Sequence, residues 1–453
     1  MLPRSLARSL RLLPALVVAL VALGCLDGDG DGPVGPDRLI VGSADFTSYV
    51  AIGNSLTAGF TDAALFVGGQ ECSVPRLLAG QVGIGDFEQP LVSDPGISST
   101  PGRGKLELVS LQPLVIQRTQ AAGAPTNLQL PRPYDNLGVP GALGFEALTA
   151  ESAETSLGGN PFFDLVLREQ GTWLEQTAAL EASFVTVWLG NNDVLGFAAS
   201  GGTAAGLPIP VTAFGAVYQA LVNQLVGITG QVVLFNIPDV TSIPFLTTIP
   251  PFVVNPQTGQ PVLGPDGRPI PLIGPEGPLA GDDLVTLNAA AALAQGVGIP
   301  AALGGTGQPL PDAVVLNVAE QQVAGQAVAG YNQVIAGMAA QHDLPLVDVN
   351  ALLEELATDG IQAGGQLLTD DFIVGQAFSL DGVHPTCKGY GVVANRLIAT
   401  INAAFGSSIP TVDVAALPGN PLPGMGVEPA AGLGVPRFEN FEEVPLPEFA
   451  PIR

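Results

Sequence analysis

Apolar residues gather along this chain in short unbroken runs, separated by longer stretches with helical spacing. Residues 49–53 (YVAIG) are the first run and end at a glycine, as a strand buried on both faces would. Residues 183–189 (SFVTVWL), 231–236 (QVVLFN) and 344–349 (LPLVDV) repeat the pattern. Residues 135–139 predict a further strand ending at Gly138. Between these runs, residues 145–156, 173–182, 213–228, 318–341 and 389–405 space Ala, Leu and Val as amphipathic helices do. Strands alternating with helices predict an α/β fold whose parallel sheet is covered on both faces. Loops beyond the carboxyl ends of such strands meet along one edge.

Two stretches break the alternation. Residues 237–312 are dense in Pro and Gly, with turn chemistry at Pro256-Gln257-Thr258-Gly259 and Pro265-Asp266-Gly267-Arg268. They read as an insertion with a hairpin-like excursion, either a functional element or a decorative loop. Its apolar residues (Ile243, Phe245, Leu246, Ile249, Phe252, Val253, Val254) suit an acyl-binding wall. Residues 407–453 form a Pro/Gly-rich acidic tail that either wraps the domain or stays disordered. The remaining 47–406 is read as one large domain. Gly 58 and Pro 41 argue against filling 453 residues with regular structure.

The N-terminus has the form of an export signal. Arg4, Arg8 and Arg11 precede an apolar run at residues 12–23 and then Ala22-Leu23-Gly24-Cys25. The run is too short for a folded transmembrane helix and fits a signal segment over residues 1–24. Gly before Cys resembles a bacterial lipobox, which makes Cys25 the lipidated first residue of an exported, membrane-anchored lipoprotein. An ordinary secretory signal cleaved nearby is the other reading. Residues 25–46, opening with an Asp/Gly repeat, are then a flexible acidic tether, and the protein faces the periplasm or the cell exterior.

Charge narrows the partners. The net charge is −26, and only Lys105 and Lys388 are lysines. A nucleic acid needs clustered Lys and Arg, so none is expected as a partner. Anionic lipid is disfavoured for the same reason, leaving the lipid anchor as the membrane contact. With Cys25 assigned to lipid, Cys72 and Cys387 remain as a possible disulfide in an oxidising compartment. The two histidines, His342 and His384, stand in no cluster of zinc spacing, so no metal is expected.

Three strings carry candidate chemistry: Gly53-Asn54-Ser55-Leu56, Gly190-Asn191-Asn192-Asp193 and Asp381-Gly382-Val383-His384. They supply a hydroxyl, a side-chain amide and an acid–imidazole pair, which are the parts of acyl transfer through a tetrahedral intermediate. Alone, Ser55 could simply cap a helix, Asp381 could brace a turn and Gly138 could be a plain turn glycine. Asp381 lies three residues before His384, so one tight turn can present both. His342, between a helix end and a strand, suits a solvated or capping role.

Together with Leu137-Gly138-Val139-Pro140-Gly141, these strings resemble the SGNH (GDSL-type) hydrolases, over residues 49–405. The resemblance implies a three-layer α/β/α flavodoxin-like sandwich and a serine esterase or lipase needing no cofactor. It implies Ser55 as nucleophile, with Asp381 and His384 completing the catalytic residues. The oxyanion donors it implies are the Ser55 and Gly138 backbone N–H groups and the Asn192 side chain, with Asp193 bracing the loop. Asn54 departs from the family's Asp, which puts local bracing in question. The G-x-S-x-G elbow of α/β-hydrolases is absent around Ser55. The expected substrate is a lipid or other acyl ester, or an acetylated one. Two other classes remain open: a non-catalytic surface-binding module retaining this fold, and a structural lipoprotein working through its insertion and tail.

Overall fold

The computed structural model describes residues 40–422, apart from 112 and 257, and residues 436–439. The signal segment, Cys25 and the tether as far as residue 39 lie outside the described residues, as does most of the tail beyond 422.

Five strands form the central sheet: β1 (Tyr49–Gly53), β2 (Asn136–Gly138), β3 (Phe184–Trp188), β4 (Val232–Phe235) and β5 (Leu346–Val347). All neighbours pair in parallel, in the order β2-β1-β3-β4-β5. Ile52 lies opposite Leu137 on one side and Val187 on the other, which sets the register. This is the flavodoxin-like order, and its direction reverses between β1 and β3. Ligand crevices form at such a reversal, outside the carboxyl ends of the strands.

Eight helices matter here: α1 (Ser55–Ala58), α2 (Val74–Val82), α3 (Trp173–Ala179), α4 (Asn192–Ala199), α5 (Val211–Ile228), α6 (Val318–His342), α7 (Val349–Thr358) and α8 (Cys387–Phe405). The strands read as unbroken apolar runs because alternate side chains enter two different cores. Val50, Ile52, Val185, Val187 and Leu234 join the core under α5 and α6. Tyr49, Ala51, Phe184, Trp188 and Phe235 face Leu78 of α2, Leu352 of α7 and Leu397 of α8. Helix starts follow the local sequence. Asn317 and Glu320 form a capping box for α6, and the Thr386 side chain caps α8. Helix α5 is long and apolar enough to cross a membrane, but it buries Phe214, Tyr218, Leu221 and Leu225 in the domain core.

The helix predicted over residues 145–156 does not form. Only a 3-10 turn, Gly144–Glu146, appears there. Around it, Gly144 and Phe145 donate to Asp193, and Leu143 and Leu157 donate to Glu146, while Glu146, Ala147, Thr149 and Ala150 close short backbone turns. Helices α2 and α7 were not marked by the spacing of apolar residues considered above. Nor was the antiparallel pair Leu106–Leu111 with Leu114–Arg118, beside which Arg437–Glu439 of the tail lies in parallel.

The insertion holds short paired segments, including the bridges Val254 to Pro261 and Leu263 to Pro269. Its apolar residues do not line an exposed wall. Phe245, Leu246, Ile249 and Val253 are buried in the domain core, because the insertion packs directly on the Asp381–His384 turn. The Phe245 N–H donates to the Gly382 carbonyl at 2.8 Å, and the Leu287 N–H donates to the Phe245 carbonyl. Residues 407–422 run along α8. Asn420 donates to the carbonyls of Ile373 and Phe378, and the Lys388 N–H to that of Pro418.

Candidate active site

The first strand delivers Ser55. Strand β1 stops at Gly53, and the next residue, Asn54, caps α1 by accepting the Leu56 N–H on its side-chain oxygen at 3.1 Å. The amide oxygen alone makes this cap, and the Asn54 side-chain nitrogen is buried without a partner among the described residues. With Asn54 as the cap, the Ser55 hydroxyl is released from that task. It stands 2.9 Å from His384 Nε2.

His384 is held from its other side. Its Nδ1 lies 2.9 Å from Asp381 Oδ2. The two residues share one turn, closed by Gly382 N–H to the Ser379 carbonyl and Ser379 N–H to the His384 carbonyl. Gly382 adopts φ +71°, and a Cβ there would come within 2.9 Å of the Phe245 nitrogen, so this turn requires glycine. The ring of Phe60 packs against the imidazole at 4.8 Å between centroids.

Asp381 accepts from five donors: the N–H groups of Ala63, Val383 and His384, the Ser379 hydroxyl and the imidazole. Burial by itself would raise its pKa. The neighbouring His384 and these hydrogen bonds overcome that and hold the carboxyl below its ordinary value. An ionised Asp381 fixes the tautomer that leaves Nε2 facing Ser55. Ser55, Asn192, Asp381 and His384 are each at most 2% exposed. Their interactions therefore act with little solvent screening.

The third string enters at the end of β3. Asn192 opens α4, and its side-chain amide donates to the Ala142 carbonyl at 2.9 Å, which leaves its second hydrogen available. Asp193 beside it accepts from Gly144 at 2.6 Å and Phe145 at 3.1 Å, tying this loop to the one after β2. Burial pushes the Asp193 carboxyl up to about 7 despite those two bonds, and does the same to Glu146.

Gly138 does not meet the expectation set for it. Its N–H donates to the Asn136 side-chain oxygen at 3.0 Å and is not free for a substrate oxyanion. Glycine is needed there for packing, since a Cβ would come within 2.5 Å of the Ala58 nitrogen. Three residues on, Gly141 is buried with φ +79°, and its N–H has no partner among the described residues. It directly precedes Ala142, to which Asn192 is bonded. The sequence signal was present in Pro140-Gly141, a turn pair two residues beyond the strand end.

His342 stands apart from this array, half-buried at the end of α6 with Nε2 2.8 Å from Asn223 Oδ1. Cys72 and Cys387 are bonded to each other. Among the described residues, no group of three His, Cys, Asp or Glu side chains could hold a metal ion.

The family described as GDSL-like Lipase/Acylhydrolase matches residues 49–397. No curated protein matches the chain. Solved structures that resemble it include a lipase/acylhydrolase from Enterococcus faecalis, 12% identical with a TM-score of 0.31. That alignment covers 81% of this chain and 99% of the other. An acetylxylan esterase from Geobacillus stearothermophilus is 13% identical, covering 79% of this chain and 95% of its own, at a TM-score of 0.32. An extracellular lipase from Streptomyces rimosus is 16% identical, covering 79% and 99%, at 0.29.

Proposed function

Since the chain belongs to the GDSL-like lipase/acylhydrolase family, we propose that it hydrolyses carboxylic esters through an acyl-enzyme on Ser55. The observation that carries this reading is the unbroken chain from Ser55 Oγ to His384 Nε2 and from His384 Nδ1 to Asp381, each link 2.9 Å. A serine hydroxyl is a weak nucleophile until a base takes its proton. His384 takes it as Ser55 Oγ attacks the ester carbonyl, and Asp381 stabilises the imidazolium that forms. The negative charge that develops on the carbonyl oxygen is received by the Ser55 and Gly141 N–H groups and the Asn192 amide. His384 then protonates the departing alcohol. Water, deprotonated by the same imidazole, attacks the acyl-enzyme and releases the acid and Ser55. In this mechanism Gly141 replaces Gly138 as the second backbone donor.

The same proposal covers the setting of the enzyme. Residues 1–24 direct export and Cys25 carries the lipid. Residues 25–46 tether a hydrolase domain at 47–406, with its insertion at 237–312 and its tail at 407–453. Small or acylated esters reach it at the membrane surface, and no nucleic acid partner fits its charge of −26.

A fluorophosphonate ester tests the mechanism. It labels Ser55 in the wild-type protein, and Ser55→Ala loses both labelling and ester hydrolysis. Wild-type protein that never labels, or a Ser55→Ala variant that still hydrolyses, would overturn the reading.

A further inference from the structure

The segment after Ser55 turns back on itself at residues 61–64. Thr61 and Ala64 exchange both backbone hydrogen bonds, at 3.1 and 3.0 Å, and the two residues between them, Asp62 and Ala63, lie at φ +50° and +55°. Turns with positive φ at both central positions usually carry Asn-Gly, because a Cβ crowds the backbone there. A strained pair persists only where its surroundings over-determine it. Here the surroundings are the turn that carries Asp381. The Asp62 N–H donates to Ser379 Oγ at 3.0 Å, Asp62 Oδ1 accepts the Leu380 N–H at 3.0 Å, and the Ala63 N–H donates to Asp381 Oδ2 at 2.8 Å. Two consecutive residues thus grip three. Thr61 Oγ1 adds a bond to the Pro385 carbonyl, on the far side of His384.

We propose that Asp62 is a positioning residue, whose N–H and carboxyl oxygen fix residues 379–381 so that Asp381 meets His384 Nδ1. The inference rests on the Ser55–His384–Asp381 mechanism proposed above. Because the Ser379 oxygen receives the Asp62 N–H, its own proton is directed to Asp381 Oδ1, 3.1 Å away. The Phe60 N–H donates to the Ser55 carbonyl at 3.0 Å, so the nucleophile and the grip on Asp381 belong to one short stretch of chain. A glycine at position 62 would relieve the backbone but would offer no oxygen to Leu380. That accounts for an oxygen-bearing side chain at a strained position.

Three substitutions test this. Asp62→Asn keeps an acceptor oxygen and suits a positive φ. Asp62→Ala keeps the Cβ and loses the oxygen. Asp62→Gly loses the oxygen and relieves the backbone, which covers the case in which Asp62→Ala fails to fold. Asp62→Ala and Asp62→Gly lower kcat roughly ten- to a hundredfold, the scale of a misplacement of about 1 Å, with KM within about twofold. Asp62→Asn loses no more than a few-fold. The downfield proton resonance of His384 Nδ1–H bonded to Asp381 reads the positioning without substrate. It moves upfield or broadens in the Ala and Gly variants and stays in Asp62→Asn. If the turn served folding alone, glycine would serve as well as asparagine, so Asp62→Gly with wild-type kcat and resonance would overturn the proposal. Asp62→Asn impaired as much as Asp62→Ala would overturn it too, because the charge and not the bond would then matter. Wild-type protein that neither labels at Ser55 nor hydrolyses an ester would remove the hydrolase reading, and the resonance in the variants would still decide the role of Asp62.

Discussion

Cys72 is bonded to Cys387, with their Cα atoms 5.1 Å apart and a sequence separation of 315. Cys387 opens α8 directly after the turn that carries Asp381 and His384, while Cys72 lies between α1 and α2. The bond thus ties the segment following Ser55 to the segment following His384.

Loop closure over such a separation is worth roughly 5 kcal/mol at most. The double variant Cys72→Ser/Cys387→Ser is expected to lose up to that amount in denaturant unfolding, with a lower Tm. Alkylating the unreduced, denatured protein should leave both cysteines unmodified. Uptake of the reagent by both would show that the bond is not formed.

Removing the Asn192 amide should slow chemistry more than it weakens binding. Asn192→Ala is expected to lower kcat by roughly 10²–10³, the usual cost of losing one oxyanion donor, with little change in KM because the bond tightens only as charge develops. Steady-state kinetics on an acetyl ester decides this. A variant with near-normal kcat would take Asn192 out of the site.

Asp193 and Glu146 should make the folded state more stable in mild acid than in base. Burial raises both carboxyls to about 7, against unfolded values of about 4. Between those limits the folded chain binds more protons than the unfolded one, so stability falls as pH rises from about 4 to about 7 and levels off above. Asp381 has the opposite shift. Its contribution is fully present above its unfolded value, and it is lost only as pH falls through the lower folded value, so it leaves the window unchanged. Denaturant midpoints at pH 5 and pH 8 test the sign, and Glu146→Gln should flatten part of the slope. A higher midpoint at pH 8 would contradict it.

The strands that position the site were legible because their burial is a matter of composition alone. Residues 49–53 and 184–188 are apolar throughout or nearly so, and a strand with two buried faces can be nothing else. The long helices α5, α6 and α8 were legible from their spacing. Ser55, Asp381 and His384 could be singled out because their motifs occur together in one order, whereas only the resemblance to the SGNH pattern selects Asn192 over the adjacent Asn191.

What could not be read was decided by partners far away in the chain. Nothing in residues 145–156 announces that their helix is lost. Asp193, 49 residues beyond Gly144, accepts the Gly144 and Phe145 N–H groups and ties the segment to the loop after β3. The apolar residues of the insertion look the same in sequence whether they form a wall or enter the core. Packing on the Gly382 turn chose the core. The choice between Gly138 and Gly141 is of the same kind. Both glycines present an identical N–H, and neither has a side chain to distinguish it. The Asn136 side chain bonds to the Gly138 N–H and not to that of Gly141. Side-chain chemistry belongs to the residue and travels with the sequence. The availability of a backbone donor belongs to the fold, because a hydrogen-bonding group is free only when nothing brought beside it has already bonded to it.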